Sequence, residues 1–406
     1  MGEDDMVSHG STVPASGLDP FRLDVLADPY PAFEELREAG PVVWLRRYGV
    51  WAFARHSAVR TALLAPETFF SSAGTGLTDL RTQSSWRSRS LLQEADPPDH
   101  TRARQVVGSV FAPGMIQDLR ADWFRVADEA VRAAVGPDEV DGMEQIAQVL
   151  PLRMFADELG IPSEGRAEHL PRFADVAFNL NGPANELFDE AMSAGRTVMP
   201  WIVEHLYPES LRPGGWGDQI HRRARAVGYD REEAAVLVRG LLVAGMDTTV
   251  KGLGATLLYL ATYPEQYAAL RADPGLMRAA FDEAIRLESP IQMFFRTVAR
   301  DAEVDGCTVP AGDRVVLLFG AANRDPRRWE DPDRFDIGRR AGAHLAFGAG
   351  IHACVGRMIA YVQAEAVLSA LVRRCASIEL VGTPRWRLNN TLRGLDALPL
   401  RLTAAD

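Results

Sequence analysis

From about Asp118 onward, apolar positions recur at three- and four-residue spacing through most of the chain, the signature of amphipathic helices. Glycine and proline clusters such as Asn181-Gly182-Pro183 and Pro213-Gly214-Gly215 interrupt them as loops. Nearer the N-terminus, Pro29 to Ala39 reads as a helix. Val42-Val43-Trp44-Leu45 and Val50-Trp51-Ala52-Phe53 read as two short strands around Arg46-Arg47-Tyr48-Gly49. Glu232 to Thr262 predicts one long helix of largely apolar course. Asp301 to Leu318 alternates like a hairpin, with Pro310-Ala311-Gly312-Asp313 as its turn. Residues 1–17 are expected to form a flexible tail. No internal repeat or low-complexity linker divides the remainder, so residues 18–406 are expected to fold as a single unit, mainly α with minor β.

Composition narrows the classes. Three cysteines, Cys307, Cys354 and Cys375, supply no disulfide framework, as expected for a reducing compartment. A formal net charge of −11 disfavours nucleic acid and anionic membrane as partners. The first residues carry neither the basic n-region nor the apolar core of a signal peptide. No apolar stretch is expected to reach the roughly 20 residues that cross a bilayer. These features lead us to expect a soluble, cytoplasmic protein.

The chemistry concentrates in Phe347-Gly348-Ala349-Gly350-Ile351-His352-Ala353-Cys354-Val355-Gly356, which sets one cysteine in a glycine-rich loop before the helix-like run at 357–362. The glycines admit backbone conformations closed to other residues. Turn N–H groups can point at the sulfur, and the positive end of the following helix favours a thiolate. A lone cysteine is more often a small buried hydrophobe. The full pattern Phe-Gly-x-Gly-x-His-x-Cys-x-Gly resembles the haem-binding loop of the cytochromes P-450 in their bacterial form. The resemblance runs from about Asp19 to Leu402. It implies the cytochrome P-450 fold, a long distal helix over a buried haem b, and Cys354 as the ligand of the haem iron.

Ala244-Gly245-Met246-Asp247-Thr248-Thr249 breaks local propensity in the middle of the long helix, since an interior glycine costs about 1 kcal/mol relative to alanine. Such violations concentrate at functional sites. The segment resembles the family's oxygen-activation motif, which implies a helical bulge at Gly245 with room for dioxygen. It further implies Thr248 hydrogen-bonding the oxygen and Asp247 relaying protons. Glu283 and Arg286, three apart on one helix face, resemble the family's Glu-x-x-Arg element, a structural ion pair. His100 and Arg104 share a face of the helix that begins near Asp96. Together with Arg296 and His352 they match the positions that bind the haem propionates, a task suited to charge-assisted bonds.

At finer grain the chain is similar to bacterial cytochromes P-450 that oxidise para-substituted benzoates, through segments such as Trp86-Arg87, Glu94-Ala95-Asp96-Pro97-Pro98 and Ser289-Pro290-Ile291-Gln292. That similarity implies a small aromatic acid whose carboxylate is held by Arg87 and Ser90, with apolar walls from Phe178, Ala244, Ile291 and Phe294. The para substituent would be hydroxylated or O-demethylated. Asn181 stands where an aromatic is expected, Gly240 where a serine helps bind the acid, and Gln93 where an apolar residue lines the pocket. These departures leave a neutral methoxyphenol of the guaiacol type open. Ferredoxin and ferredoxin reductase are implied as electron donors; Arg102, Arg104, Arg339, Arg340 and Arg357, in segments expected around the thiolate face, read either as a docking patch for an acidic donor or as a solvated set of surface arginines. A peroxide-driven peroxygenase and a non-catalytic haem-thiolate sensor are alternatives, and the intact Asp247-Thr248 pair counts against both.

Overall fold

The computed structural model describes residues 13–83 and 89–405. Helix outweighs strand, about 52% against 13%, in agreement with a mainly α chain. The strands that matter for the site are β1 (Ala15–Ser16), β2 (Val43–Leu45), β3 (Val50–Phe53), β4 (Phe69–Phe70), β5 (Met293–Val298), β6 (Ala302–Val304), β7 (Cys307–Val309) and β8 (Arg314–Leu318). Six of them form one sheet in the order β1-β2-β3-β8-β5-β4. The β1–β2 and β3–β8 pairs are parallel and the others antiparallel.

Two expectations change here. The tail does not extend to Gly17, because Val13 is buried and Ala15 and Ser16 pair with Trp44 and Leu45. Nor does the hairpin turn at 310–313. β6 and β7 close through Asp305 (φ 46°) and Gly306 (φ 82°), a two-residue turn that needs left-handed backbone at both positions. The turn at 310–313 instead leads into β8, which joins the main sheet beside β5.

Five helices frame the interior: α1 (Asp99–Gly108), α2 (Arg166–Asn179), α3 (Arg231–Thr262), α4 (Met277–Glu288) and α5 (Arg357–Arg374). The start of α3 is set by a capping box. Asp230 accepts from the Glu233 N–H at 2.8 Å, and Glu233 accepts from the Asp230 N–H at 2.9 Å. Pro264 follows its last turn and cannot continue it. By length and hydropathy α3 would suffice to cross a bilayer, contrary to expectation. About 67% of its apolar window is buried inside the protein, however, so it is a core helix. Leu242, Met246 and Leu253 of α3 pack in one cluster with Phe281 and Ile285 of α4 and Ile359 and Leu371 of α5.

The end of α2 is stitched to the C-terminal segment. Asn390 donates from its backbone to Asn179 Oδ1 at 2.9 Å, and Asn185 donates to Asn390 Oδ1 at 2.8 Å. The Thr391 hydroxyl donates to the Phe178 carbonyl at 3.0 Å.

Candidate active site

One large internal cavity opens between α3 and the loop that precedes α5. Gly348 and Gly350 both sit at φ 66°, where side chains are strained, and a Cβ on Gly350 would lie 2.3 Å from the Leu63 carbonyl oxygen. The loop is closed by the Cys354 N–H donating to the Phe347 carbonyl at 2.8 Å. Cys354 has accessible surface, but that surface belongs to the cavity wall. Burial pushes its thiol up from the ordinary value, opposed by the Gly356 N–H and by the guanidinium groups of Arg104 and Arg357. The sulfur stands just before the first turn of the 18-residue α5, where the helix dipole favours negative charge.

His100, Arg104, Arg296 and His352 all line the same cavity. His100 and His352 meet ring to ring at 4.4 Å. His352 Nε2 lies 3.1 Å from Ser71 Oγ, and Arg104 donates to the Ala353 carbonyl at 2.6 Å. His100 Nε2 is buried with no partner among the described residues. Burial drives the His352 imidazole down to about 3, helped by the positive charges of Arg296, His100 and Arg104. Burial likewise holds the Arg296 guanidinium at about 10. Four donor side chains thus converge on a space that calls for an anion.

On the opposite wall Ala244, Gly245 and Thr248 face the cavity. Residues 231–262 are assigned as one α-helix through Gly245. A Cβ on Gly245 would fall 2.0 Å from Cζ of the Phe155 ring. The Thr248 hydroxyl donates back to the Ala244 carbonyl at 2.8 Å. Asp247 is not on the cavity wall; it bonds Lys251 Nζ at 2.5 Å. Sequence reasoning missed Lys251, though its position one turn after Asp247 in an apolar helix is a readable signal.

Ser90, Phe178, Gly240, Ile291 and Phe294 line the distal part of the cavity with Gln93, Thr75 and Leu241. Ser90 Oγ accepts from the Gln93 N–H at 3.0 Å, which leaves its hydroxyl hydrogen for another acceptor. A Cβ at Gly240 would meet nothing within 4 Å, so the glycine widens the cavity. Asn181 is not among the described residues that line the cavity. Its Cα and Cβ pack on Gly76, and its carbonyl accepts from the Leu77 N–H at 2.8 Å, so it ties the end of α2 to the 75–77 loop. Arg87 lies outside the described residues.

Behind the loop, Glu283 and Arg286 form a two-pronged pair at 2.7 and 2.8 Å, both side chains 0% exposed. Arg286 also donates to the Asn323 and Pro332 carbonyls at 2.8 and 2.7 Å, and Asn323 Oδ1 accepts from the Leu345 N–H at 2.7 Å. Arg339 donates to Glu283 at 2.9 Å. Arg339 and Arg104 are therefore engaged internally and drop out of the expected docking patch, whereas Arg102, Arg340 and Arg357 are exposed.

The chain is 46% identical to cytochrome p450 CYP199A2 of Rhodopseudomonas palustris, over 98% of this chain and 96% of that protein. It belongs to the cytochrome P450 family. The Cytochrome P450 family pattern itself matches residues 219–395. The monooxygenase PikC of Streptomyces venezuelae is 33% identical over 96% of this chain and 94% of its own length. Among solved structures, cytochrome P450 CREJ in complex with (4-ethylphenyl) dihydrogen phosphate superposes with a TM-score of 0.84 at 28% identity, covering 95% of this chain and 99% of that one. The protein is a cytochrome P450 monooxygenase, and the family's cofactor is haem b.

The residues present fit that group. A flat dianionic macrocycle needs a cavity with a thiolate donor on one wall and cationic partners at its edge. Cys354 would supply the first and the guanidinium groups of Arg104 and Arg296 the second, with the imidazoles of His100 and His352 as hydrogen-bond donors beside them.

Proposed function

We propose that this P450 hydroxylates or O-demethylates a small para-substituted aromatic substrate, with an aromatic acid favoured over a neutral methoxyphenol. The observation that carries this reading is a cavity with an apolar distal half, walled by Phe178, Leu241, Ile291 and Phe294 and provided with the Ser90 hydroxyl and Gln93 as polar contacts. The (4-ethylphenyl) dihydrogen phosphate held by CREJ, a para-substituted aryl anion, supports an anionic end group. Gly240 makes room for a ring substituent on the α3 side.

When bound, haem b supplies the activation of dioxygen that the side chains cannot. Cys354 would ligate its iron, and His100, Arg104, Arg296 and His352 would hold its two propionates. Thr248 would turn its hydroxyl from the Ala244 carbonyl to hydrogen-bond dioxygen, and Asp247 would relay protons from solvent to it. Glu283 and Arg286 would brace the loop. Electrons would come from a ferredoxin and its reductase in the cytoplasm, docking where Arg102, Arg340 and Arg357 are exposed.

Thr248→Ala should leave the substrate-induced Soret shift nearly unchanged while diverting most reducing equivalents to hydrogen peroxide. Asp247→Asn should slow turnover and enlarge the solvent isotope effect. NADH, oxygen and peroxide balances in a reconstituted ferredoxin system check both. Unaltered coupling in the two variants would exclude this proton route.

The substrate class is tested by binding. Arg87→Ala should weaken a para-methoxybenzoate by roughly ten- to a hundredfold, the worth of about 1.5–3 kcal/mol for a charged hydrogen bond. A guaiacol of similar shape should be little affected. If benzoates fail to shift the Soret band of the unaltered protein while guaiacols do, the acid reading is wrong.

A further inference from the structure

Lys251 is the only lysine in the chain; every other basic residue among the 44 lysines and arginines is arginine. It is not a surface residue. It sits one turn beyond Asp247 on α3, only 6% exposed, with Nζ 2.5 Å from Asp247 Oδ2, and the Asp247 side chain is itself only 16% exposed. Its seat is shaped for it. The strand Gly394–Ala397 passes over α3 at this point, and a Cβ on Gly394 would lie 2.2 Å from Lys251 Cγ and 2.8 Å from Cδ. Gly394 is not among the glycines with left-handed backbone, so its missing side chain answers to the lysine stem rather than to a turn.

The position calls for an ammonium rather than a guanidinium. A compact point charge on an unbranched stem can lie flat under a strand and end on one carboxylate oxygen, whereas a planar fork needs room for two nitrogens. The use of arginine at every other basic position makes the lysine here a matter of geometry. A carboxylate in a mostly buried setting without a counter-charge would turn towards water to recover its hydration.

We propose that Lys251 is the positioning residue for Asp247. Its ammonium holds the carboxylate against α3, beside the cavity wall and next to Thr248, instead of letting it swing out to solvent. This rests on the reading of Asp247 as the proton carrier. The cost of removing Lys251 should therefore fall on proton delivery and not on binding.

Lys251→Met keeps the length of the stem and removes the charge. In the haem-loaded enzyme it should preserve the thiolate spectrum and the substrate-induced Soret shift. Product formation should fall about tenfold, below the range typical for loss of a proton-transfer group itself, with more peroxide and a larger solvent isotope effect. A second readout does not depend on turnover. Protein labelled with [15Nζ]lysine contains a single labelled ammonium, and in the ferrous carbon monoxide form its resonance should move on Asp247→Asn. If Asp247→Asn impairs proton delivery but Lys251→Met does not, the inference on Lys251 is overturned and the relay reading stands. If neither variant changes isotope effect or coupling, the relay reading fails with it. Should Lys251→Met lose haem, the resonance decides alone: one indifferent to Asp247→Asn would show that the pair does not form.

Discussion

Cys354→Ala is expected to abolish the thiolate band of the reduced carbon monoxide complex and to remove monooxygenase turnover altogether. The reason is positional. Cys354 is the only cysteine on the cavity wall among the described residues, ahead of α5 and within reach of the Gly356 N–H. Cys375 is fully buried at the far end of α5, and Cys307 lies in the β6–β7 hairpin. Neither can reach the cavity without refolding an element. Absorbance spectra of the reduced, carbon monoxide-treated variant check this, with haem content measured separately. Persistence of a normal thiolate band would move the ligand to another cysteine and undo the site as described.

Glu283→Gln should be the most destabilising single change away from the cavity. Both members of the Glu283–Arg286 pair are fully buried, and Glu283 serves Arg339 as well. Removing one charge from such a pair leaves its partner uncompensated, at about 3–5 kcal/mol. Against a total stability on the order of 5–15 kcal/mol that is a large fraction. The variant should unfold at clearly lower denaturant and release haem faster. Arg286→Met, which also removes a charge, should behave alike, while replacing both residues by apolar ones of similar volume should recover part of the loss. Denaturant melts followed by tryptophan fluorescence and by the Soret band separate global unfolding from local loosening of the loop. A loss below about 1 kcal/mol would show that the pair is solvated in solution.

Much of the fold is readable in the amino-acid sequence wherever local pattern and tertiary demand agree. The apolar course of α3 and its Asp230 start need no knowledge of neighbours, and the loop around Cys354 is specified within ten residues. Glu283 and Arg286 lie three apart, so helical geometry alone brings them together. The failures share a different origin. What Gly245 packs against, the Phe155 ring 90 positions away in the chain, cannot be read from its neighbours. The packing of Asn181 on Gly76 across the gap is likewise invisible in local pattern. The β6–β7 turn, in contrast, is legible: Asp305-Gly306 is a strong hairpin signal that the more conspicuous Pro310-to-Asp313 segment overshadows. The lone lysine is equally visible as a count, and only its partner makes it meaningful.

The hydrogen-bond chain from Arg286 through Asn323 to Leu345 bears on how the protein acquires its cofactor. Every link in it is made between protein atoms, as is the bond that closes the Cys354 loop. None of these links needs the macrocycle, so the proximal half of the receptor is expected to assemble on folding, before the macrocycle binds. Capture then does not have to freeze a floppy segment, so the association free energy is not spent on ordering backbone. Apoprotein and holoprotein should accordingly give the same slow amide exchange at Leu345 and Cys354, with the gain in protection on haem uptake confined to the cavity's distal rim.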